Sequence, residues 1–246
     1  MSIFAKLTRS ELRLFLREPV QVFFTLFFPT VLIAILGNIP DFGKPDPALG
    51  GARVIDLYVA IAVVFTLGML GLQVAPLALA TYRERGILRR IATTPVRPVT
   101  LLGAQLAMNL LIAIVSVALV LTVGRLAFDV ALPRQADGFV IAFLLTAGTA
   151  FTVGLLVAAV APSGKTANSI GTFLFFPLMF FAGLWTPREV FPGLLRTISD
   201  LSPLGAGERA LHAAMTGSWP SWGSLTVLLA YMLVLGIAAA RLFRWE

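Results

Sequence analysis

Six stretches of the chain, 20–39, 57–80, 99–124, 139–161, 166–187 and 221–240, contain no Asp, Glu, Lys or Arg. Each is at least 20 residues long, the length a helix rising about 1.5 Å per residue needs to cross a hydrocarbon core of about 30 Å. In that core no water satisfies a backbone N–H or C=O. A lone apolar run must therefore be helical, because only a helix pairs these groups within the segment. Composition leaves no soluble alternative: 58% of residues are hydrophobic, 13% charged, and mean hydropathy is +0.92, against roughly 25% charged in soluble domains. The chain is expected to be an all-α integral membrane protein with six transmembrane helices, forming one domain over 1–246.

The net charge of +7 would suggest nucleic acid in a soluble protein. Here its distribution argues for topology instead. Segments 1–19, 81–98, 162–165 and 241–246 fall on one side by alternation and carry twelve Lys/Arg against four Asp/Glu. Segments 40–56, 125–138 and 188–220 carry seven against eight. Basic loops stay in the cytoplasm, so both termini are expected there, in a multi-pass protein of the cytoplasmic (inner) membrane with no nucleic-acid partner. The N-terminus imitates a signal peptide, but its apolar run is too long for one and no small-residue cleavage site follows; it reads as a retained span. With no Cys and a single His, His212, disulfides, a thiol nucleophile, and thiolate or multi-histidine metal sites are excluded. No catalytic or metal-ligating set is expected, and His212 is placed in a loop.

Three segments are not plain spans. Within 1–19, Lys6, Arg9, Arg13 and Arg17 recur at spacings of three and four, one stripe of a helix, with Ile3, Phe4, Leu7, Leu14 and Phe15 roughly opposite. This predicts an amphipathic helix in the membrane interface, broken at Pro19. It is either a simple anchor or one wall of a docking groove. In 82–94, Glu84, Ile87, Leu88 and Ile91 fall on one helical face, flanked by Arg83, Arg85, Arg89 and Arg90, with Pro95 and Pro98 ending the helix. A carboxylate on an apolar face wants a partner, so this segment is expected to dock a protein. In 188–215, Val190, Phe191, Leu194, Leu195, Ile198 and Leu201 repeat at helical spacing, predicting helical pieces that dip back into the outer leaflet.

The notable polar residues at depth in the spans are Gln73, Gln105, Asn109, Ser116 and Asn168. Such residues commonly hydrogen-bond between helices. Gln105 and Asn109, four apart on one face, are the first candidates for a transport pathway, together with Phe176 and Phe180 from the aromatic run 173–185. Gly171, Ala182 and Gly183 would permit close approach at a dimer interface, and Pro76 and Pro177 are expected to kink their spans. No Asp, Glu, Lys, Arg or His lies within a span, which argues against a proton- or sodium-coupled transporter.

These segments together resemble the membrane permease subunits of type-2 ATP-binding-cassette exporters, the daunorubicin-resistance-like branch in particular. The resemblance is carried by Glu84-Arg85-Gly86-Ile87-Leu88 with Thr94-Pro95, and by Pro177, Gly183-Leu-Trp-Thr-Pro187, Pro192, Ile198-Ser199, Ser202-Pro203-Leu204 and Glu208. It covers essentially the whole chain; Ile87 stands where the family pattern often has Thr. The resemblance implies that 82–94 is the coupling helix and 188–215 an outer re-entrant hairpin. Two cytoplasmic ATPase subunits, which bind the ATP and Mg, would dock on a permease dimer of identical or paralogous chains. ATPase coupling would then rest on Glu84, Arg85, Gly86, Ile87, Leu88 and Ile91, with Arg9 and Arg13 on the groove-lining N-terminal helix.

The chain supplies no ATPase of its own. A phosphate-binding loop requires G-x-x-x-x-G-K-[ST], and Gly164-Lys165-Thr166 is preceded by Ala159 where the first glycine would be. The resemblance implies a transport subunit, not an enzyme, exporting an amphipathic small molecule in multidrug efflux or antibiotic resistance. The same machine carrying a lipid or lipid-linked glycan is the alternative cargo. A membrane-embedded transferase or a scaffold is the alternative class, and the former would require clustered Asp, His or Glu near one membrane face.

Overall fold

The computed structural model describes residues 3–92 and 98–242. Its helices are α1 (Ile3–Phe15), α2 (Pro19–Gly37), α3 (Val54–Glu84), α4 (Ile87–Ala92), α5 (Pro98–Phe128), α6 (Ala136–Val160), α7 (Gly164–Phe181), α8 (Gly193–Leu201), α9 (Pro203–Thr216) and α10 (Trp222–Leu242). No β-strand occurs among the described residues. Five helices, α2, α3, α5, α6 and α10, are long and apolar enough to cross a membrane. The chain is a multi-pass membrane protein.

The sixth expected span, 166–187, differs from the other five. Its helix α7 has 18 residues, about 27 Å of rise. Lys165, Thr166, Asn168 and Ser169 crowd its first turns and lower its apolar character. It also ends at Phe181 rather than 187, because Gly183 adopts a left-handed conformation (φ 90°) and turns the chain away.

The core is built around α3. Of its most apolar window 83% is buried inside the protein, against 17% for α2 and 11% for α10, so α3 is the central pillar and the other two face outward. Buried Ile55, Ile61 and Leu72 of α3 share one hydrophobic cluster with Met108 of α5, Met179 of α7 and Leu204 and Leu211 of α9. Because lipid is as apolar as leucine, such packing is selected by shape and close approach. Glycines provide that approach: a Cβ on Gly154 would lie 1.8 Å from the Gly71 carbonyl oxygen, and one on Gly171 2.0 Å from that of Leu72. Gly171 and the buried Ala182, candidates for close approach at a dimer interface, make these contacts inside the chain.

Two π-turns, Phe23–Phe27 and Leu70–Val74, interrupt α2 and α3 just before Pro29 and Pro76. Proline has no N–H for the carbonyl four residues back and crowds it; widening the preceding turn relieves this. The two carbonyls concerned are compensated differently. That of Thr25 accepts a hydrogen bond from Ser116 Oγ at 3.1 Å, and Ser116 in turn lies 3.0 Å from Thr66 Oγ1. The carbonyl of Leu72 faces Gly171. The deviations foreseen at proline are thus partly π-turns, while Pro177 lies inside α7.

At one end of the bundle Arg53 pairs bidentately with Asp56 (2.7 and 2.8 Å) and donates to the carbonyl of Asp129 (3.1 Å), tying the start of α3 to the end of α5. In the same loop region α8 and α9 form a helical pair within the expected 188–215 segment. The helix begins at Gly193, after Pro192, rather than at Val190. Ser202 Oγ caps α9 by accepting from the Gly205 N–H at 3.1 Å, with Pro203 in the first helical position. α9 is largely buried, whereas Leu194 and Leu201 of α8 are exposed. His212, expected in a loop, lies in α9.

Candidate functional site

The opposite end gathers α1, the end of α3, α4, the start of α5 and the link between α6 and α7. The continuous helix expected over 82–94 is not formed. Arg85 and Gly86 close α3 with bonds to the carbonyls of Thr81 and Arg83 (3.0 Å each), and Gly86 takes φ 67°. A Cβ on Gly86 would meet nothing within 4 Å, so backbone geometry alone calls for glycine here. Consequently Glu84 belongs to α3, and α4 starts at Ile87 with Leu88 buried and Arg89 exposed. The side chain of Ile91, together with Thr94 and Pro95, falls outside the described residues.

Glu84 is exposed but engaged. Its Oε2 accepts the N–H of Gly164 at 2.9 Å, at the first turn of α7, where Ser163 Oγ also caps by accepting from Thr166 N–H at 3.2 Å. Arg83 donates to the carbonyls of Ala159 (3.2 Å) and Ala161 at the end of α6. An anion therefore sits at a helix N-terminus and a cation at a helix C-terminus, both favourable placements in the helix field. Adjacent residues at the foot of α3 clamp the turn between α6 and α7. The sequence placed Arg83 only as a flank of the docking face, because only the fold brings residues nearly 80 positions apart together.

Arg9 and Arg13 lie exposed on α1, and Arg85 is exposed just beyond α3. The opposite face of α1 packs on α5, with Phe4 near Gly103 and Phe15 buried. Glu11 is buried there as well, accepting from Tyr82 Oη (2.8 Å) and Gln105 Nε2. The signal was present: Leu7, Glu11 and Phe15 are four residues apart, so a carboxylate interrupts the apolar stripe.

The four pathway candidates do not share one surface. Gln105 (0% exposed) and Asn109 (5%) face inward, Gln105 onto Glu11 and Asn109 onto a small apolar void beside Gly71. Phe180 is half-buried and stacks on Phe191 at 5.3 Å. Phe176 is exposed and lies 6.0 Å from Trp185. It lines a groove of about 580 Å³ between α2, α3 and α7 whose other walls include Phe24, Phe65, Phe175 and Met69. Its polar groups are Gln21, Gln73, Asn168 and Thr172, and Gln73 Nε2 donates to Thr172 Oγ1 at 3.2 Å. Gln73 and Asn168 were visible as polar residues within the apolar runs, but helical spacing cannot link two different helices.

A charge cluster lies at the α8–α9 end. Arg188, buried, pairs with Asp200 and approaches Glu208 (3.7 Å), while Arg209 reaches Asp200 (3.4 Å). Burial pushes the Glu208 carboxyl up to about 8, nearby Glu189 adding to the shift and Arg188 offsetting only part of it. Arg188 spends its good hydrogen bond on Asp200, leaving Glu208 Oε2 without a donor among the described residues. Burial likewise lowers His212.

An all-helical, multi-pass chain with a basic end built from helix turns and a lateral amphipathic groove has the anatomy of a membrane transport subunit. Residues 3–216 match the ABC-2 type transporter family, and the chain belongs to it. The candidate transport permease YvfS of Bacillus subtilis (strain 168) is 25% identical over 244 residues, covering 95% of this chain and 94% of that protein.

Proposed function

We propose that the chain is the permease subunit of an ATP-driven exporter and that its cargo is an amphipathic small molecule. The observation that carries the reading is the groove between α2, α3 and α7. Its volume of about 580 Å³ falls in the range of small-molecule sites, roughly 300–1,000 Å³. Its lining is aromatic and aliphatic with a few amides and a hydroxyl, suited to a ligand with one polar edge. A second permease chain, identical or paralogous, would cover the open side, where Phe24, Phe27 and Phe173 are exposed. α7 serves as the sixth span, its 18 residues bridging most of the core, with α8 and α9 re-entering from the outer face. Both termini lie in the cytoplasm, on the inner membrane.

Two ATPase subunits, carrying the ATP and Mg, dock on α4 and on the exposed Arg9 and Arg13 of α1. Movement of α4 passes through Gly86 into the foot of α3. From there Arg83 and Glu84 carry it to the α6–α7 turn, and so to α7, which lines the groove. The test is tagged purification with identification of the co-eluting chains, followed by nucleotide hydrolysis in vesicles across a panel of amphipathic cargoes. An ATPase subunit at about one per permease, with cargo stimulation lost in Trp185→Ala, supports the reading. A permease that elutes alone from several detergents, or stimulation indifferent to Trp185, refutes it.

A further inference from the structure

A second cavity, of about 390 Å³, lies between α1, the foot of α3 and the first half of α5, and the transport reading does not use it. Its walls are apolar where Phe15, Val74, Leu77 and Met108 line it. Its buried polar groups are Glu11 (6% exposed) and Gln105 (0%), and its exposed rim carries Arg17, Glu18 and Arg85.

The buried pair is under-used. Tyr82 and Gln105 both donate to Oε2 of Glu11, so Oε1 has no donor among the described residues. Gln105 Oε1 is also buried without a partner. No described Lys or Arg forms an ion pair with Glu11. A buried carboxylate lacking a cation is costly, and burial pushes the Glu11 carboxyl above its usual range, the Tyr82 bond pulling part of the way back.

The chemistry that answers this chamber is a primary ammonium, with three N–H donors for the two vacant acceptors, joined to an anion for the rim guanidiniums and to apolar chains for the walls. Two carboxylates and two guanidiniums line the cavity, a balance that matches a zwitterion better than a net anion or cation. We propose that this cavity binds the headgroup of an aminophospholipid, with its ammonium on Glu11 and Gln105 and its phosphate toward Arg17 and Arg85. A lipid seated there braces α1 against α3 and α5. The proposal rests on this end of the bundle lying at a membrane surface, not on ATPase docking or on the exported cargo.

The test is native mass spectrometry of the delipidated full chain, titrated with synthetic dioleoyl phosphatidylethanolamine, phosphatidylcholine, phosphatidylglycerol and, separately, dodecylammonium. The ethanolamine lipid should bind at least ~10-fold tighter than the choline lipid, whose quaternary nitrogen donates no hydrogen bond, and than the glycerol lipid. Glu11→Gln should bring the ethanolamine and choline lipids within about twofold. Arg17→Ala should weaken all three phospholipids together and leave dodecylammonium unchanged. Should Glu11→Gln fail to fold, Ala78→Phe, which narrows the cavity and keeps Glu11 in the sequence, should abolish the same preference. Equal binding of the three phospholipids, or a preference that survives Glu11→Gln or Ala78→Phe, overturns the proposal. Dodecylammonium binding as tightly as the ethanolamine lipid, with no effect of Arg17→Ala on either, also overturns it and assigns the cavity to a cationic amphipath.

Discussion

Replacing Glu84 tests the clamp that joins the foot of α3 to the α6–α7 turn. The 2.9 Å bond to the Gly164 N–H has a charged acceptor, a class worth about 1.5–3 kcal/mol. Because Glu84 is exposed, solvent screening reduces this to about 1 kcal/mol. An anion at a helix N-terminus adds about 0.3–1 kcal/mol. Glu84→Ala removes both, about 1–2 kcal/mol, which is roughly a 5- to 30-fold shift toward the released turn. Glu84→Gln keeps an acceptor and loses the charge, so its effect should be about half as large in free energy. The chain has no cysteine, so Lys165→Cys, at an exposed position of the turn, gives a single labelling site. The maleimide reaction rate at that site, measured on the purified protein, should rise in the order wild type, Glu84→Gln, Glu84→Ala. In the assembled transporter the same substitutions should lower cargo-stimulated hydrolysis while leaving insertion intact. A labelling rate within twofold of wild type for Glu84→Ala would show that the turn is held without Glu84 and would sink the clamp argument. If labelling changes but stimulation does not, the clamp stands and its place in the coupling route is wrong.

Other expectations follow from packing and charge. Gly154→Ala and Gly171→Ala each drive a methyl into backbone oxygen, at 1.8 and 2.0 Å, and should cost about 1–3 kcal/mol or more, seen as a lowered unfolding midpoint in detergent. Gly43→Ala, with nothing within 4 Å, should leave that midpoint in place, and equal effects at all three sites would contradict the close-approach argument. Ser116→Ala removes the donor to the Thr25 carbonyl and should cost about 0.6–1.7 kcal/mol; a double-mutant cycle with Thr66→Ala should show coupling, since the two hydroxyls touch. The raised Glu208 carboxyl has a definite sign. Between its unfolded value of 4.5 and about 8 the folded state holds a proton that the unfolded state releases, so this group's contribution falls as pH rises through that window. The unfolding midpoint should therefore drop less between pH 5 and 8 in Glu208→Gln than in wild type. Identical pH profiles would show that Glu208 is not the group responsible.

The apolar runs, the basic loops and the amphipathic α1 were legible in the sequence because each is a local pattern. A bilayer demands about 20 apolar residues, a helix repeats every 3.6, and both rules act on near neighbours in the chain. Five helices long and apolar enough to cross a membrane therefore stand in the structure over five of the six expected runs. The same locality explains the misreadings. Period alone ran a helix through Arg85 and Gly86 and set Glu84 on the face of Ile87 and Leu88, because it cannot register a left-handed glycine. Gln105 and Asn109 share a helical face as their spacing requires, but spacing does not say whether that face meets a groove or the core.

Tertiary structure alone decided the long-range partnerships. Arg83 and Glu84 acquire meaning from carbonyls and an N–H nearly 80 residues away, Glu11 from Tyr82 and Gln105, and Arg188 from Asp200 and Glu208. The groove exists only where Gln73, Thr172 and Phe176 are brought together from α3 and α7. Hydropathy determined that this chain enters a membrane and roughly where, because transfer free energy adds residue by residue along a segment. Which polar atoms meet, and which are left waiting for a ligand, depends on helix packing in three dimensions, to which no single segment holds the key.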